Sequence, residues 1–201
     1  MTWYQAIAYC RWLTAVYDRA AEAGHDDPRP IPGGEIRLPD EWEWQWGAAG
    51  AEQRKFPWGN EYQEGFANIN ETKTKKGSFF VQRASAVGIY PKGYTPSHSG
   101  SGSWADLAGN VWEWCRNSHD NPGELWSAKL DKTEWRPMRG GSWFNSSDSA
   151  RCAYRYDGPP NGRGNLVGFR LLCSHIELGS SLPADSGSLS GSSLYEHEGN
   201  T

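Results

Sequence analysis

The sequence predicts an irregular, loop-rich α+β fold with two helices and short antiparallel strands. Apolar residues recur at helical spacing near the start of the chain, and a capping box begins a second helical segment. After Gly50 the chain changes to short apolar segments separated by glycine, proline, asparagine and serine. Such segments are typical of short strands in a loop-dominated domain.

The first helix is predicted from Trp3 to about Ala23, and Gly24 ends it. Residues on one face of a helix recur every three or four positions, and apolar residues follow that spacing here. They are Trp3, Ile7, Cys10, Leu13 and Tyr17.

The second helix is predicted to begin at Asp40, directly after Pro39. Asp40 is its N-cap, and Glu43 lies three residues further on, which makes a capping box. Trp42 and Trp46 then share a face, because residues four apart are neighbours on a helix surface.

Four short segments beyond Gly50 are predicted as strands. They are VGIY at 87–90, NVWEW at 110–114, RGGSW at 139–143 and GFRLL at 168–172. After Ser174 the chain is rich in serine and glycine, with few apolar residues to offset the entropy cost of ordering it. We therefore predict one domain over residues 1–174 and a flexible tail over residues 175–201.

The composition argues against several functions. The formal net charge of −4 is unsuited to nucleic acid, because phosphate binding draws on clustered lysine and arginine. The short basic run of Lys73, Lys75 and Lys76 is typical of a solvated loop. No apolar run approaches the roughly 18 residues of a membrane helix, and the first residues lack the features of a signal peptide. We expect a cytoplasmic protein with no nucleic-acid partner and no membrane partner.

The cysteines lack CxxC spacing, which argues against a zinc ribbon or a thioredoxin-like motif. Free buried thiols are the simplest interpretation, and one disulfide bond is left open. The cysteines are Cys10, Cys115, Cys152 and Cys173.

Residues 139–171 combine a fixed frame with two irregular runs, FNSSDSA and YDGPPNGRGNL. The composition of the runs is typical of loops, so Phe144, Tyr156 and Leu166 are predicted on loops. Each is either tucked under its loop or offered to a partner. The frame holds aromatic anchors, a glycine pair and four arginines. The frame residues are Arg139, Gly140, Gly141, Trp143, Arg151, Tyr154, Arg155, Phe169, Arg170 and Leu171.

Nine motifs follow one another along residues 3–172. They are WYQAIAYCRWL, RLPDEWEWQWGAAG, FPWGNE, AN at 67, VGIYP, LAGNVWEW, RGGSW, RCAYR and VGFRL. In order and wording they resemble the formylglycine-generating enzyme family, also called the sulfatase-modifying factor family. The resemblance implies an irregular α+β fold with C-type-lectin-like topology. It starts partway into the usual family domain, which implies either the C-terminal part of a longer family domain, and so a piece of a larger polypeptide, or a trimmed version of the domain.

The catalytic members of this family use two cysteines just after the GGS(Y/W) motif to bind copper and activate oxygen. Here the corresponding run, residues 144–150, contains no cysteine, and Asn145 aligns with the first of the pair. Cys152 is interpreted as a core thiol. The five histidines lack metal-ligand spacing, so a three-histidine iron site has little support. We expect neither copper nor iron, and we expect that the chain is not an enzyme.

A second resemblance concerns the two irregular runs. They are similar to the variable region of proteins diversified by retroelements, in which template adenines, often in AAC codons, are randomised in the copied gene. Each position implied by this pattern is reachable from AAC by changing adenines alone, and an ordinary loop is the alternative. The diversified positions are Phe144, Asn145, Ser146, Ser149, Tyr156, Asp157, Gly158, Pro159, Gly162, Gly164, Asn165 and Leu166.

The family resemblance also implies a calcium site in the GNVWEW region. Asp106 and Glu113 would supply carboxylates, and Gly109 and Val111 would supply main-chain carbonyls. Such hard oxygen ligands suit calcium. The alternative is that Glu113 pairs with a frame arginine and that Asp106 caps a turn.

These observations predict a ligand-binding protein whose partner is a protein or another macromolecule. Phe144, Tyr156 and Leu166 are predicted as apolar anchors, because aromatic groups dominate contact energy. The predicted polar contacts are Asn145, Asp157 and Asn165. Two alternatives are an oxygen- or metal-dependent oxidase of the same family with a non-standard site, and a structural or regulatory module of a larger polypeptide.

Overall fold

The computed structural model describes residues 1–71, 81–96, 103–120, 122 and 134–175. The basic run at 73–76 and the predicted tail beyond residue 175 lie outside these residues. Within these described residues, two helices, one 3₁₀ turn and six short strands follow one another. They are α1 (Trp3–Glu22), β1 (Glu35–Arg37), α2 (Glu41–Ala49), the 3₁₀ turn (Pro91–Gly93), β2 (Trp112–Trp114), β3 (Arg136–Arg139), β4 (Tyr156–Gly158), β5 (Val167–Gly168) and β6 (Leu172–Ser174).

Both helices begin where the sequence predicts. In α1 the N-cap is Thr2, whose side chain accepts a hydrogen bond from the main-chain N–H of Gln5. In α2 the N-cap is Asp40, and its main-chain N–H donates to the Glu43 carboxylate at 2.8 Å. Trp42 and Trp46 share the exposed face of α2, whereas the Trp44 side chain is fully buried.

The strands form two small sheets. β1 pairs with β6 in a two-stranded antiparallel sheet, and the other sheet has the order β4-β3-β2-β5. The pairs β2–β3 and β3–β4 are antiparallel, but β5 lies parallel to β2, with Trp112 opposite Val167. The α+β class with short strands is confirmed, and this one parallel pair departs from the expected antiparallel pattern.

Three of the four predicted strands and one predicted loop differ from the structure. The segment 168–172 is divided between β5, which ends at Gly168, and β6, which begins at Leu172 in the other sheet. Residues 87–90 form no strand, and 87–88 form a turn in which Gly88 has a φ of +82°. The predicted strand at 139–143 ends at Arg139, since Gly140 and Gly141 have φ values of +93° and +77° that leave the extended region. Conversely, the sequence predicts Tyr156 on a loop, but it is the first residue of strand β4.

Tryptophan and other large side chains fill a core with little regular structure. One buried cluster joins α1 to β2 and β3 through Trp3, Leu38, Trp112, Trp114 and Met138. In a second cluster, α2 packs through Trp44 and Ala48 against Leu107, Cys115 and Cys152. Among the described residues, no helix is both long enough and apolar enough to cross a membrane.

Candidate binding groove

The side chain of Arg139 at the end of β3 is fully buried. Its guanidinium donates to the main-chain carbonyls of Ala153 and Tyr154, at 3.1 and 2.7 Å, and also to the side chain of Gln45. The guanidinium carbon, Cζ, lies 5.6 Å from the ring centre of Trp44, within the range of a cation–π contact. This arginine therefore fixes the middle of the frame to the protein interior.

The glycine pair after Arg139 lets the first loop fold back on the core. Besides its positive φ, Gly141 lies so close to the loop that an added Cβ would stand 3.0 Å from the carbonyl oxygen of Ser149. Main-chain hydrogen bonds hold both loops. In the first loop, the carbonyl of Asn145 accepts from the Asn70 N–H at 2.9 Å. The carbonyl of Leu166 accepts from the Trp112 N–H at 2.7 Å, and that of Asn165 accepts from the Trp143 indole.

Two ion pairs tie the rest of the frame to buried carboxylates. Arg155 bonds the Glu41 carboxylate, with Nε 2.5 Å from Oε1, and Glu41 is 1% exposed. Arg170 bonds Glu113 in the same bidentate way, at 2.5 and 2.7 Å. The hydrogen bond to Glu41 raises the pKa of Arg155. Burial acts to lower the pKa of Arg170, but the charge and the hydrogen bond of the neighbouring Glu113 oppose it, and that pKa is also raised.

The two irregular runs and strands β2 to β5 enclose an open groove with a volume of about 480 Å³. Its apolar base consists of Trp112, Trp114, Met138, Tyr154 and Val167. Ten of the twelve positions that the template pattern predicts to vary line it, whereas Phe144 and Ser146 are exposed beside it. The ten are Asn145, Ser149, Tyr156, Asp157, Gly158, Pro159, Gly162, Gly164, Asn165 and Leu166.

Stacked aromatic rings form the centre of the groove. The ring of Tyr156 lies over Trp112, with centroids 4.9 Å apart and an angle of 29° between the planes. Tyr154 packs on the same indole at 6.0 Å. Tyr156 is 49% exposed, so one face of the stack is open to a partner.

The predicted apolar anchors differ in their surroundings. Phe144 is 59% exposed and makes an edge contact with Trp143, so its ring is offered to solvent. Leu166 is half-buried and packs against the core cluster of α1, so it is partly tucked under its loop. Gly158 is buried, and an added Cβ would lie 3.1 Å from the Met138 methyl group, which restricts substitution there.

Sequence reasoning missed two residues of the groove wall. Trp135 is 48% exposed and precedes β3, and Arg163 lies between Gly162 and Gly164. The isolated aromatic at 135 gave no signal, because it belongs to no frame motif. Arg163 could have been found, since it is the basic residue within a run otherwise suited to loops.

An amide, that of Asn145, stands where the resemblance aligns the first catalytic cysteine of the family. Asn145 accepts a hydrogen bond from the Ser142 hydroxyl at 2.5 Å between oxygens. Cys152, interpreted as a core thiol, is 1% exposed, and burial raises its pKa to about 12. All four cysteines are free, so the disulfide left open does not form in this structure.

Iodoacetamide at mildly alkaline pH is expected to modify Cys173 in the folded protein and to leave Cys152 intact. Alkylation needs an accessible thiolate, and a raised pKa together with burial removes both conditions at Cys152. Cys173 is half-buried and serves as the internal comparison. Peptide mass spectrometry before and after unfolding in urea measures both sites, and rapid native labelling of Cys152 would contradict the core assignment.

The carboxylates predicted to bind calcium have other partners. Glu113 accepts from Arg170 and from the Trp44 indole, at 2.5 and 2.6 Å, and Asp106 accepts from the Gly88 N–H at 2.6 Å. Within the described residues, no three His, Cys, Asp or Glu side chains gather as metal ligands. The geometry favours the alternative of an ion pair and a turn cap. Calcium at Asp106, Gly109, Val111 and Glu113 stays a prediction.

Comparison with known proteins places this geometry in a family. The chain is 28% identical over 180 residues to the inactive Cα-formylglycine-generating enzyme 2 of Mus musculus. The aligned region covers 87% of this chain and 48% of that protein. It is 29% identical over 190 residues to the formylglycine-generating enzyme of Mus musculus, with 88% and 44% covered. The chain thus spans about half the length of these curated relatives, 48% and 44% of them.

Solved structures show the same fold. Variable protein 1 of Treponema denticola superposes with a TM-score of 0.57 at 25% identity, covering 86% of this chain and 69% of that one. PvdO of Pseudomonas aeruginosa superposes with a TM-score of 0.58 at 24% identity, covering 85% and 59%. A family model described as the sulfatase-modifying factor enzyme 1-like domain matches residues 1–175. The chain therefore belongs to the sulfatase-modifying factor enzyme 1-like family.

Proposed function

We propose that this chain is a non-catalytic ligand-binding protein whose groove is a diversified recognition surface. The observation that carries the proposal is the gathering of ten of the twelve diversified positions around one groove. Positions scattered over ordinary loops have no physical reason to converge on one concave, aromatic surface. Concave surfaces with apolar bases and a few polar groups are the usual form of binding sites.

The division between frame and loops supports the proposal. Frame residues such as Arg139 and Arg155 bond to buried partners, whereas eleven of the twelve diversified positions are at least partly exposed, Gly158 being the exception. A rigid scaffold that presents variable exposed side chains is the principle of antibody binding loops. The similarity to an inactive family member and to a variable protein is consistent with this role.

The DNA that encodes residues 139–174 tests the diversification directly. We expect a near-copy of this segment within several kilobases, differing only opposite template adenines and lying beside a reverse transcriptase gene. Such a copy would also identify each diversified residue. A locus without a near-copy and without a reverse transcriptase would contradict the proposal and leave an ordinary loop surface.

Phe144→Ala is expected to lower the free energy of unfolding by less than about 1 kcal/mol, because most of the ring is already in water. Tyr154→Ala is the matched control. This frame ring is half-buried against Trp112 and the core, and its loss should cost about 3 kcal/mol. Urea unfolding followed by tryptophan fluorescence measures both. A large loss for Phe144→Ala would place that side chain in the scaffold rather than in the binding surface.

A further inference from the structure

Arg163 is a charged side chain of the groove wall without a partner. It is exposed, and within the described part of the chain it forms no ion pair and no hydrogen bond. The four frame arginines, in contrast, each bond a carboxylate or a main-chain carbonyl. The guanidinium of Arg163 is therefore free to bind a group that is not part of this chain.

Asp157, the other charged residue that lines the groove, forms no ion pair with Arg163 in the described part of the chain. Successive residues of a strand point to opposite faces of the sheet. Tyr156 stacks on Trp112 inside the groove, whereas a carboxylate oxygen of Asp157 lies 3.6 Å from Nδ1 of His119. Arg163 therefore supplies the positive charge of the groove lining and can bind an acidic group of a ligand.

Aromatic side chains line the same groove as this charge. Tyr156 and Trp135 are about half exposed there, and flat rings favour stacking with another ring. A guanidinium binds a carboxylate in a planar, bidentate way. One arginine on a protein of net charge −4 is unsuited to a polyanion such as nucleic acid.

We propose that the ligand is a protein whose surface loop inserts an aromatic side chain into the groove and places an adjacent Asp or Glu carboxylate on Arg163. This inference rests on the proposed function and names the partner of the same site. The aromatic side chain supplies the buried contact area, and the carboxylate fixes the orientation of the loop.

Selection from a phage-displayed library of random peptides on the immobilised full chain tests the inference. Peptides enriched on the natural sequence are expected to carry an aromatic residue next to Asp or Glu. Arg163→Glu should replace that acidic preference with Lys or Arg, because the charge at the groove wall is reversed. Arg151→Glu is the matched control. Arg151 has a side chain of 41% exposure outside the groove lining, so its reversal should leave the selected sequences unchanged.

An enriched acidic peptide then gives a quantitative test. Its Kd is expected to rise about 5- to 30-fold with Arg163→Gln, the range for losing a charge-assisted hydrogen-bonded pair, and to rise less with Arg163→Lys. Because the side chain is exposed and unpaired, these variants should fold normally. Enriched peptides without an acidic preference would overturn this inference and leave the binding function standing. A selection that enriches no peptide at all would contradict both.

Discussion

Glu41→Gln is expected to lower the free energy of unfolding by about 3–5 kcal/mol, the cost of leaving a buried charge without its counter-ion. Glu41 is 1% exposed, and its carboxylate lies 3.7 Å from Nε of Arg139, which has no exposed surface. Burial lowers the pKa of Arg139, and the charge of Glu41 opposes that shift. The amide removes the negative charge and keeps the shape, so the loss is electrostatic. Urea unfolding measures it.

An exposed ion pair of the same region gives the control. Arg151 and Asp148 lie 3.8 Å apart with side-chain exposures of 41% and 83%, so Arg151→Gln should change stability by less than about 0.5 kcal/mol. Arg155, which also bonds Glu41, is 40% exposed and can turn to solvent, which leaves Arg139 as the source of the cost. A loss below about 1 kcal/mol for Glu41→Gln would mean that main-chain carbonyls alone stabilise the Arg139 charge.

Gly109→Ala is expected to destabilise the protein by about 3–5 kcal/mol, the sum of a backbone cost and a steric cost. Gly109 has a φ of +75°, which an L-residue adopts with strain. An added Cβ would also stand 2.4 Å from the carbonyl oxygen of Asn68 and 2.6 Å from a methyl group of Ile69. The main chain cannot move away freely, because the Gly109 N–H donates to the Gly140 carbonyl at 2.7 Å.

Gly24→Ala separates the two contributions. Gly24 has almost the same φ, +79°, and nothing lies within 4 Å of its added Cβ. Its substitution should therefore cost only the backbone strain of about 1–2 kcal/mol. Thermal and urea unfolding of the two variants give the comparison. Equal losses at the two positions would show that the contact with residues 68 and 69 relaxes without cost.

The helices could be predicted because their signals are local. The capping box of Asp40 and Glu43 and the spacing of Trp3, Ile7 and Cys10 lie within a few residues of each other. The parallel pairing of β5 with β2 could not, since each aligned pair of residues joins segments more than fifty positions apart in the sequence. A strand of two residues carries no periodicity of its own.

The groove could be predicted in its residues but not in its shape. The template pattern identified ten positions that line it, yet the tyrosine-aspartate-glycine sequence at 156–158 has the composition of a turn. Those residues become a strand because they pair with β3, with Tyr156 opposite Met138. Tertiary pairing therefore overrode local composition, and it also turned Asp157 away from Tyr156.

The hydrogen bonds that hold the loops have a consequence for how much change the surface tolerates. At positions 145, 165 and 166 the acceptor is the main-chain carbonyl, which every amino acid possesses. Arg139 likewise bonds the carbonyls of Ala153 and Tyr154 rather than their side chains. These main-chain bonds are therefore independent of residue identity, whereas the Asn145 amide bond to Ser142 and the packing of Leu166 on the core depend on the side chain. If the surface is varied as proposed, one backbone conformation would carry many different side-chain sets, and new specificities would need no new fold.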